Sequence, residues 1–306
     1  MIIVFSPDLT RQDIFANGVE LCSIMGKDRL NGKRVFTFPP EKKVYVHTFR
    51  NPVLVTDTWR IAKLSAPLRE TLFSLYTQKP RIISYDGVST FWDHTHLNVW
   101  CPSIDTLLFA KALRNVFRKR KQFRTGAELG CGSGFLSKYV LAKSKVQSFL
   151  VNDLNPYAIK CAMDNIKDSR ASFYAGDGFP KIKHAKFDLL ICNPPYVPRP
   201  SSIDDNPYEG VKLLNHLVHH GQDYLNENGV MVINISSLCW DVVMKKKPVM
   251  KMTLLEKMTV PLKVNNILNN KRWLKYLEKH NLKKQHKQGY EYWQTINIVL
   301  LEKRSA

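Results

Sequence analysis

The 306-residue sequence predicts an α/β fold: a doubly wound sheet with helices on both faces, preceded by a smaller N-terminal region of mixed α+β. Three observations lead there. From about residue 100, short apolar runs alternate with amphipathic stretches at helical spacing. The apolar runs are nearly continuous, as in parallel strands buried on both faces. Several end in Gly-, Asn- or Asp-containing turns, and ligands of open α/β sheets bind at the carboxyl ends of the strands.

Residues 1–97 make the N-terminal region, an accessory and substrate-recognition part. It mixes β-prone runs at 44–49 and 53–56 with a helical stretch around 58–77, and Pro39-Pro40, Asn51-Pro52 and Asp86-Gly87 mark turns. The second domain spans 98–306. Its first helix starts at Ser103 or Asp105 and repeats Ile104, Leu107, Leu108, Ala112 and Val116 at helical spacing. The run Arg118-Lys119-Arg120-Lys121 reads as the solvated end of that helix, with a nucleic-acid contact as the other reading. Then follow a strand at 126–129, a helix at 135–143, a strand at 148–152, a helix at 156–166, and strands at 171–174 and 187–192. A helix at 211–225, a strand at 230–235, a helix at 273–280 and a closing strand at 292–301 complete the pattern. Residues 241–270 read as an insertion.

Hydrophobic residues make up 44% and charged ones 24%, which excludes a disordered or fibrous chain. The formal charge is +20, and residues 241–306 hold half of it, with 15 basic residues against 5 acidic. Such an excess favours polyanionic partners. Six scattered cysteines without a CxxC pair read as reduced thiols, and no stretch has the ~20 apolar residues of a membrane span. The expectation is a cytoplasmic protein without membrane attachment. His216, His219 and His220 lack a carboxylate or cysteine partner at matched spacing, and His94 and His96 alternate on a strand, so no metal site is expected.

Four strand ends carry chemistry. Glu128-Leu129-Gly130-Cys131-Gly132-Ser133-Gly134 lets the backbone turn tightly and approach a ligand, with a helix N-terminus behind it. Asp153 closes the next strand, where it either accepts from a ribose diol or caps the following helix. At Ala175-Gly176-Asp177-Gly178-Phe179 a carboxylate meets an exocyclic amine and Phe179 flanks an adenine, or the segment is a simple turn. The fourth is Asn193-Pro194-Pro195-Tyr196-Val197-Pro198. Its prolines cannot extend the strand and fix a rigid turn. The Asn193 side-chain oxygen and a main-chain carbonyl freed by the prolines are two acceptors, and Tyr196 is a flat face. Together they suit a planar, conjugated NH2 group.

These residues resemble class I S-adenosylmethionine-dependent methyltransferases with the NPPY motif, over roughly residues 98–240. The resemblance implies a Rossmann-like sheet and S-adenosylmethionine as cofactor. It implies that Glu128, Gly130, Gly132, Gly134, Asp153, Asp177, Phe179 and Asn193 line the cofactor site, and that Asn193, Pro194 and Tyr196 are catalytic. Within that class the chain is similar to the release-factor glutamine N5-methyltransferases. Trp100-Cys101-Pro102-Ser103-Ile104-Asp105-Thr106 is similar to their Pro-x-x-(Asp/Glu)-Thr segment, which assigns Pro102, Asp105 and Thr106, with Pro195 and Tyr196, to the substrate. The chain departs where Asn234-Ile235-Ser236 stands in place of Glu-Ile-Gly.

The resulting expectation is an N-methyltransferase acting on a glutamine amide in a translation factor or ribosomal protein. Adenine or another base in RNA or DNA is the alternative, and a non-catalytic RNA- or cofactor-binding scaffold a third reading. Trp273, Tyr276, Tyr290, Tyr292 and Trp293 interleave the basic residues from Lys271 to Lys287, so a solvated face and an RNA-facing surface both remain open.

Overall fold

The computed structural model describes residues 2–5, 28–30, 33–37, 44–47, 52–55, 81–92, 99–120, 122–179, 185–200, 210–262, 265–268, 270–287 and 290–304. The N-terminal strands are β1 (Ile2–Phe5), β2 (Asp28–Leu30), β3 (Lys33–Thr37), β4 (Val44–His47), β5 (Pro52–Val55), β6 (Arg81–Tyr85) and β7 (Val88–Trp92). Five form a sheet in the order β2-β3-β1-β6-β7, and β4 pairs with β5. The helical stretch expected around 58–77, and His94 and His96, lie outside the described residues.

Asp86 and Gly87 join β6 to β7 with φ of 50° and 76°, the left-handed pair that a tight hairpin turn requires. This hairpin packs on the second domain. The Asn165 amide brackets Phe91, accepting from its N–H at 2.7 Å and donating to its carbonyl at 2.8 Å. Tyr139 donates its hydroxyl to Asp86 at 2.8 Å. Residues before position 98 thus make direct contact with Tyr139 and Asn165.

That domain runs α1 (Ile104–Lys119), β8 (Gln122–Leu129), α2 (Phe135–Lys143), β9 (Lys145–Asp153), α3 (Pro156–Asn165), β10 (Ala171–Ala175), β11 (Phe187–Cys192), α4 (Lys212–His220) and β12 (Leu225–Ser236). It continues through α5 (Trp240–Val243), β13 (Lys251–Pro261), α6 (Asn265–Leu268), α7 (Lys271–Glu278), β14 (Lys283–Lys287) and β15 (Tyr290–Glu302). The sheet order is β10-β9-β8-β11-β12-β15-β13, with β14 on β15. The first five strands are parallel, and β15 runs antiparallel to both β12 and β13. Strand order reverses between β8 and β11, which opens a crevice at their carboxyl ends.

Period-2 alternation explains the two covered faces. Leu189, Ile191, Val230, Val232, Ile296 and Ile298 share one core with α1, α2 and α3. Their neighbours Leu190, Cys192, Met231, Ile233, Val299 and Leu301 share the other with α4 and α5.

The stretch 241–270 is not a mere insertion, because β13 within it pairs along β15 from Lys251↔Glu302 to Pro261↔Trp293 and completes the sheet. Its polar residues suit an edge strand, and Glu256 ties it to α1 through Lys111 at 3.2 Å and Asn115 at 2.9 Å. The helix read at 211–225 stops at His220, a 3-10 turn covers Gly221–Tyr224, and β12 begins at Leu225. The basic run after α1 is more than a solvated end. Arg120 donates to the Asn228 carbonyl at 2.5 Å and lies 4.8 Å over the Phe123 ring. Five cysteines among the described residues are free thiols, four of them buried. Among the described residues no helix is long and apolar enough to cross a membrane.

Candidate active site at the carboxyl ends of the strands

Register across the sheet brings the sequence-predicted residues to one edge. Ala175 pairs with Asp153, Asn152 with Leu129, Leu129 with Cys192, and Cys192 with Ile233. Gly130, Gly176, Asn193 and Asn234 each follow one of these residues, so they stand level at the mouth of the crevice.

On the β8 side the chain turns back through Gly130 (φ 74°), whose N–H donates to the Asn152 carbonyl at 2.9 Å. A Cβ there would meet nothing within 4 Å, so the concave side of the turn is open. Gly134 caps α2 at φ 80°, and a Cβ there would lie 2.8 Å from the Ala162 side chain. Only glycine lets α2 approach α3 this closely. Asp153 accepts from the Gly132 N–H and the Asn155 N–H, both at 2.9 Å, so one carboxylate shapes both turns. Asn155, not Asp153, caps α3, its side chain accepting from the Tyr157 N–H at 3.0 Å. Burial raises the Asp153 carboxyl pKa. An open glycine turn flanked by a half-buried carboxylate fits the amino-acid and ribose parts of S-adenosylmethionine.

Glu128 is 1% exposed behind this turn, where Ser137 of α2 donates its hydroxyl to it. Burial pushes its carboxyl up to about 8. Glu128 is therefore a buttress under the turn. Asp177 is exposed and accepts from the Phe179 N–H at 3.1 Å. The Phe179 ring packs 4.6 Å from His216 and 5.6 Å from Tyr224. His216 bonds the Tyr224 hydroxyl at 2.7 Å and His219 the Val243 carbonyl at 3.0 Å. Among the described residues no group of His, Cys, Asp and Glu gathers to hold a metal ion.

On the β11 side the Asn193 carboxamide is held at both ends. Its Nδ2 donates to Asp105 Oδ2 at 3.0 Å, and its Oδ1 accepts from Asn234 Nδ2 at 2.9 Å. By accepting from Nδ2, Asp105 sets which end of the amide faces it. Oδ1 is left with one lone pair. Asp105 is 9% exposed and also accepts from the Ser103 hydroxyl, while the Tyr196 hydroxyl stands 3.5 Å away. Burial and the Asp105 charge raise the Tyr196 pKa. Pro102 is buried, and Thr106 Oγ1 accepts from the Ser103 N–H at 3.3 Å, closing the start of α1. Sequence reasoning missed Asn234. Its signal was the departure Asn-Ile-Ser, because residue 234 follows the strand partner of Cys192.

Beyond Tyr196 the loop is clamped by the C-terminal part. Trp273 Nε1 donates to the Pro198 carbonyl at 2.9 Å, Arg199 lies 5.2 Å over the Trp273 ring, and Val197 packs against the same apolar cluster. The acids Asp204, Asp205 and Glu209, which follow this loop in the sequence, lie outside the described residues.

Known proteins are similar to this chain in sequence. The chain is 30% identical over 202 residues to a provisionally named protein N5-glutamine methyltransferase of Methanocaldococcus jannaschii, covering 61% of this chain and 98% of that protein. It is 28% identical over 127 residues to the release factor glutamine methyltransferase of Aquifex aeolicus, covering 36% of this chain and 45% of that protein. It is 33% identical over 110 residues to the ribosomal RNA large subunit methyltransferase G of Pseudomonas putida, covering 33% of this chain and 28% of that protein. It thus spans nearly all of the archaeal relative and under half of the other two. A family model described as the methyltransferase small domain matches residues 100–267, more than half of the sequence. The chain belongs to that family, as a methyltransferase whose methyl donor is S-adenosylmethionine.

Proposed function

We propose that this methyltransferase modifies a planar NH2 group, a glutamine side-chain amide in a translation factor or ribosome-associated protein. The observation that carries the reading is the Asn193 carboxamide, fixed by Asp105 and Asn234 with one acceptor position left on Oδ1. The donor supplies an electrophilic methyl group on a sulfonium. The chain's part is to hold the acceptor nitrogen. Asn193 Oδ1 takes one N–H and the Pro194 carbonyl the other, which turns the amide lone pair out of conjugation and stabilises the positive charge it develops. Asp105 strengthens this, because a carboxylate accepting from Nδ2 raises the negative charge on Oδ1. Tyr196 offers its ring face to the flat substrate group. Gly130, Gly132, Gly134 and Asp153 bind the donor, with Asp177 and Phe179 at its adenine end.

Two relatives named as glutamine methyltransferases support the amide. A second reading, a base in RNA, draws on the relative named as a ribosomal RNA methyltransferase and on the formal charge of +20. Incubation with radiolabelled donor and cell extract, followed by separate protease and ribonuclease digestion, distinguishes them. Label released by protease alone supports glutamine. Label released by ribonuclease alone replaces that reading with the base.

A further inference from the structure

We propose that the solvent face of α7 and β14 is an RNA-docking surface beside the acceptor loop. The inference rests on the translation-machinery reading, because it names the polyanion that would bring the acceptor to the site. Residues 271–287 carry seven Lys and Arg against one acid, Glu278. In α7, Trp273, Leu274 and Leu277 are buried while Lys271, Arg272 and Lys275 are exposed, as is Lys279 at its C-cap. At about 100° per residue the four cations fall within an arc of about 100° opposite the buried side chains. Arg272 therefore belongs with the other three.

Lys271, Lys275 and Lys279 are spaced by about 6 Å per step along the axis, a row that can follow a phosphate backbone. Among the described residues none of these four forms an ion pair, and with one exposed acid, Glu278, at the edge of their arc the face keeps a net positive charge. On β14, Lys284 pairs with Glu291 at 3.1 Å and lies 5.7 Å over the Tyr292 ring. Half-buried Tyr276 and Tyr292 interrupt the cationic surface, and aromatic faces among cations are what unpaired bases stack on. A purely acidic protein partner has no use for them.

The location supplies the second half of the argument. The buried side of α7 is what grips the acceptor loop, through the Trp273–Pro198 hydrogen bond and the Arg199 stack. Pro198 is five residues after Asn193. A strand of RNA lying on the outer side of α7 would therefore sit one helix thickness from the loop that holds the acceptor group.

The test uses the whole chain, a fluorescently labelled 20-nucleotide RNA of mixed sequence and a polyglutamate of equal charge. Single-stranded binding changes by about −0.7 in log–log salt slope per neutralised phosphate, so four cations account for a slope of about −3. Replacing all four, as Lys271→Gln, Arg272→Gln, Lys275→Gln and Lys279→Gln, should remove most of that slope. It should also weaken RNA binding at least tenfold at 0.1 M salt, with the thermal midpoint and donor affinity unchanged. A wild-type response flat in salt, an unchanged slope in the variant, or polyglutamate binding as tightly as RNA would each overturn the proposal. Binding is read without any methyl transfer, so failure here leaves the glutamine reading standing, and the reverse also holds.

Discussion

The two halves of the crevice are built differently. At the ends of β8, β9 and β10 the groups belong to short contiguous runs, and backbone hydrogen bonds from Gly130, Gly132 and Gly176 knit the turns together. At the ends of β11 and β12 the key contacts join groups far apart in sequence. Asn193 meets Asp105 across 88 positions and Asn234 across 41, and Trp273 meets Pro198 across 75. The first half is shaped to hold a constant ligand. The second is adjustable, because any one of its distant members can change without disturbing a turn. On the proposed function, donor binding and acceptor specificity are thereby separable.

The sharpest way to break the comparison is Asn193→Ala. Losing an acceptor that faces the reacting nitrogen should lower methyl transfer by about 10²-fold. A single-turnover assay checks it, and a variant with more than half of wild-type rate would show the acceptor half to be only structural.

Asn234→Asp sharpens it. A protonated acid at 234 can still donate to Asn193 Oδ1, whereas the ionised form repels it. Burial and nearby Asp105 favour the protonated form. Transfer should fall about tenfold at alkaline pH and recover as pH falls, a profile the unmodified protein lacks. A pH-independent loss would mean that residue 234 only packs.

The first half was legible in the sequence and much of the second was not, for a physical reason. A glycine turn, Asp153 and the Asn193–Tyr196 loop each declare themselves within a few residues, because the local backbone demands those residue types. The partnership of Asn193 with Asn234 follows from the pairing of Cys192 with Ile233, which only the assembled sheet supplies. β13 escaped notice because its exposed edge carries Lys251, Thr253, Glu256 and Lys257 among its apolar residues. Glu128 is a related case. Adjacency to the glycine turn suggested a ligand contact, whereas strand alternation turns its side chain inward to Ser137.

The smallest effect concerns that buttress. The Glu128 carboxyl stays protonated in the fold up to about pH 8 but ionises near 4.5 once unfolded. Its contribution is therefore whole below pH 4.5 and is lost as pH rises toward 8, at about 1.4 kcal/mol per pH unit. Glu128→Gln should cancel that slope. Between pH 6 and 8 the unmodified protein should lose about 2–3 kcal/mol relative to the variant, read by urea unfolding. Parallel curves would show that the carboxyl is already ionised in the fold.

Calorimetry of S-adenosylmethionine binding to Asp153→Ala and Asn193→Ala, side by side, tests the division of labour most directly. Loss of the Asp153 carboxylate should weaken binding by about 1.5–3 kcal/mol, roughly 10- to 150-fold. Asn193→Ala should stay within about twofold of the unmodified protein. Equal weakening in both variants, or none in Asp153→Ala, would contradict the separation of donor binding from acceptor chemistry.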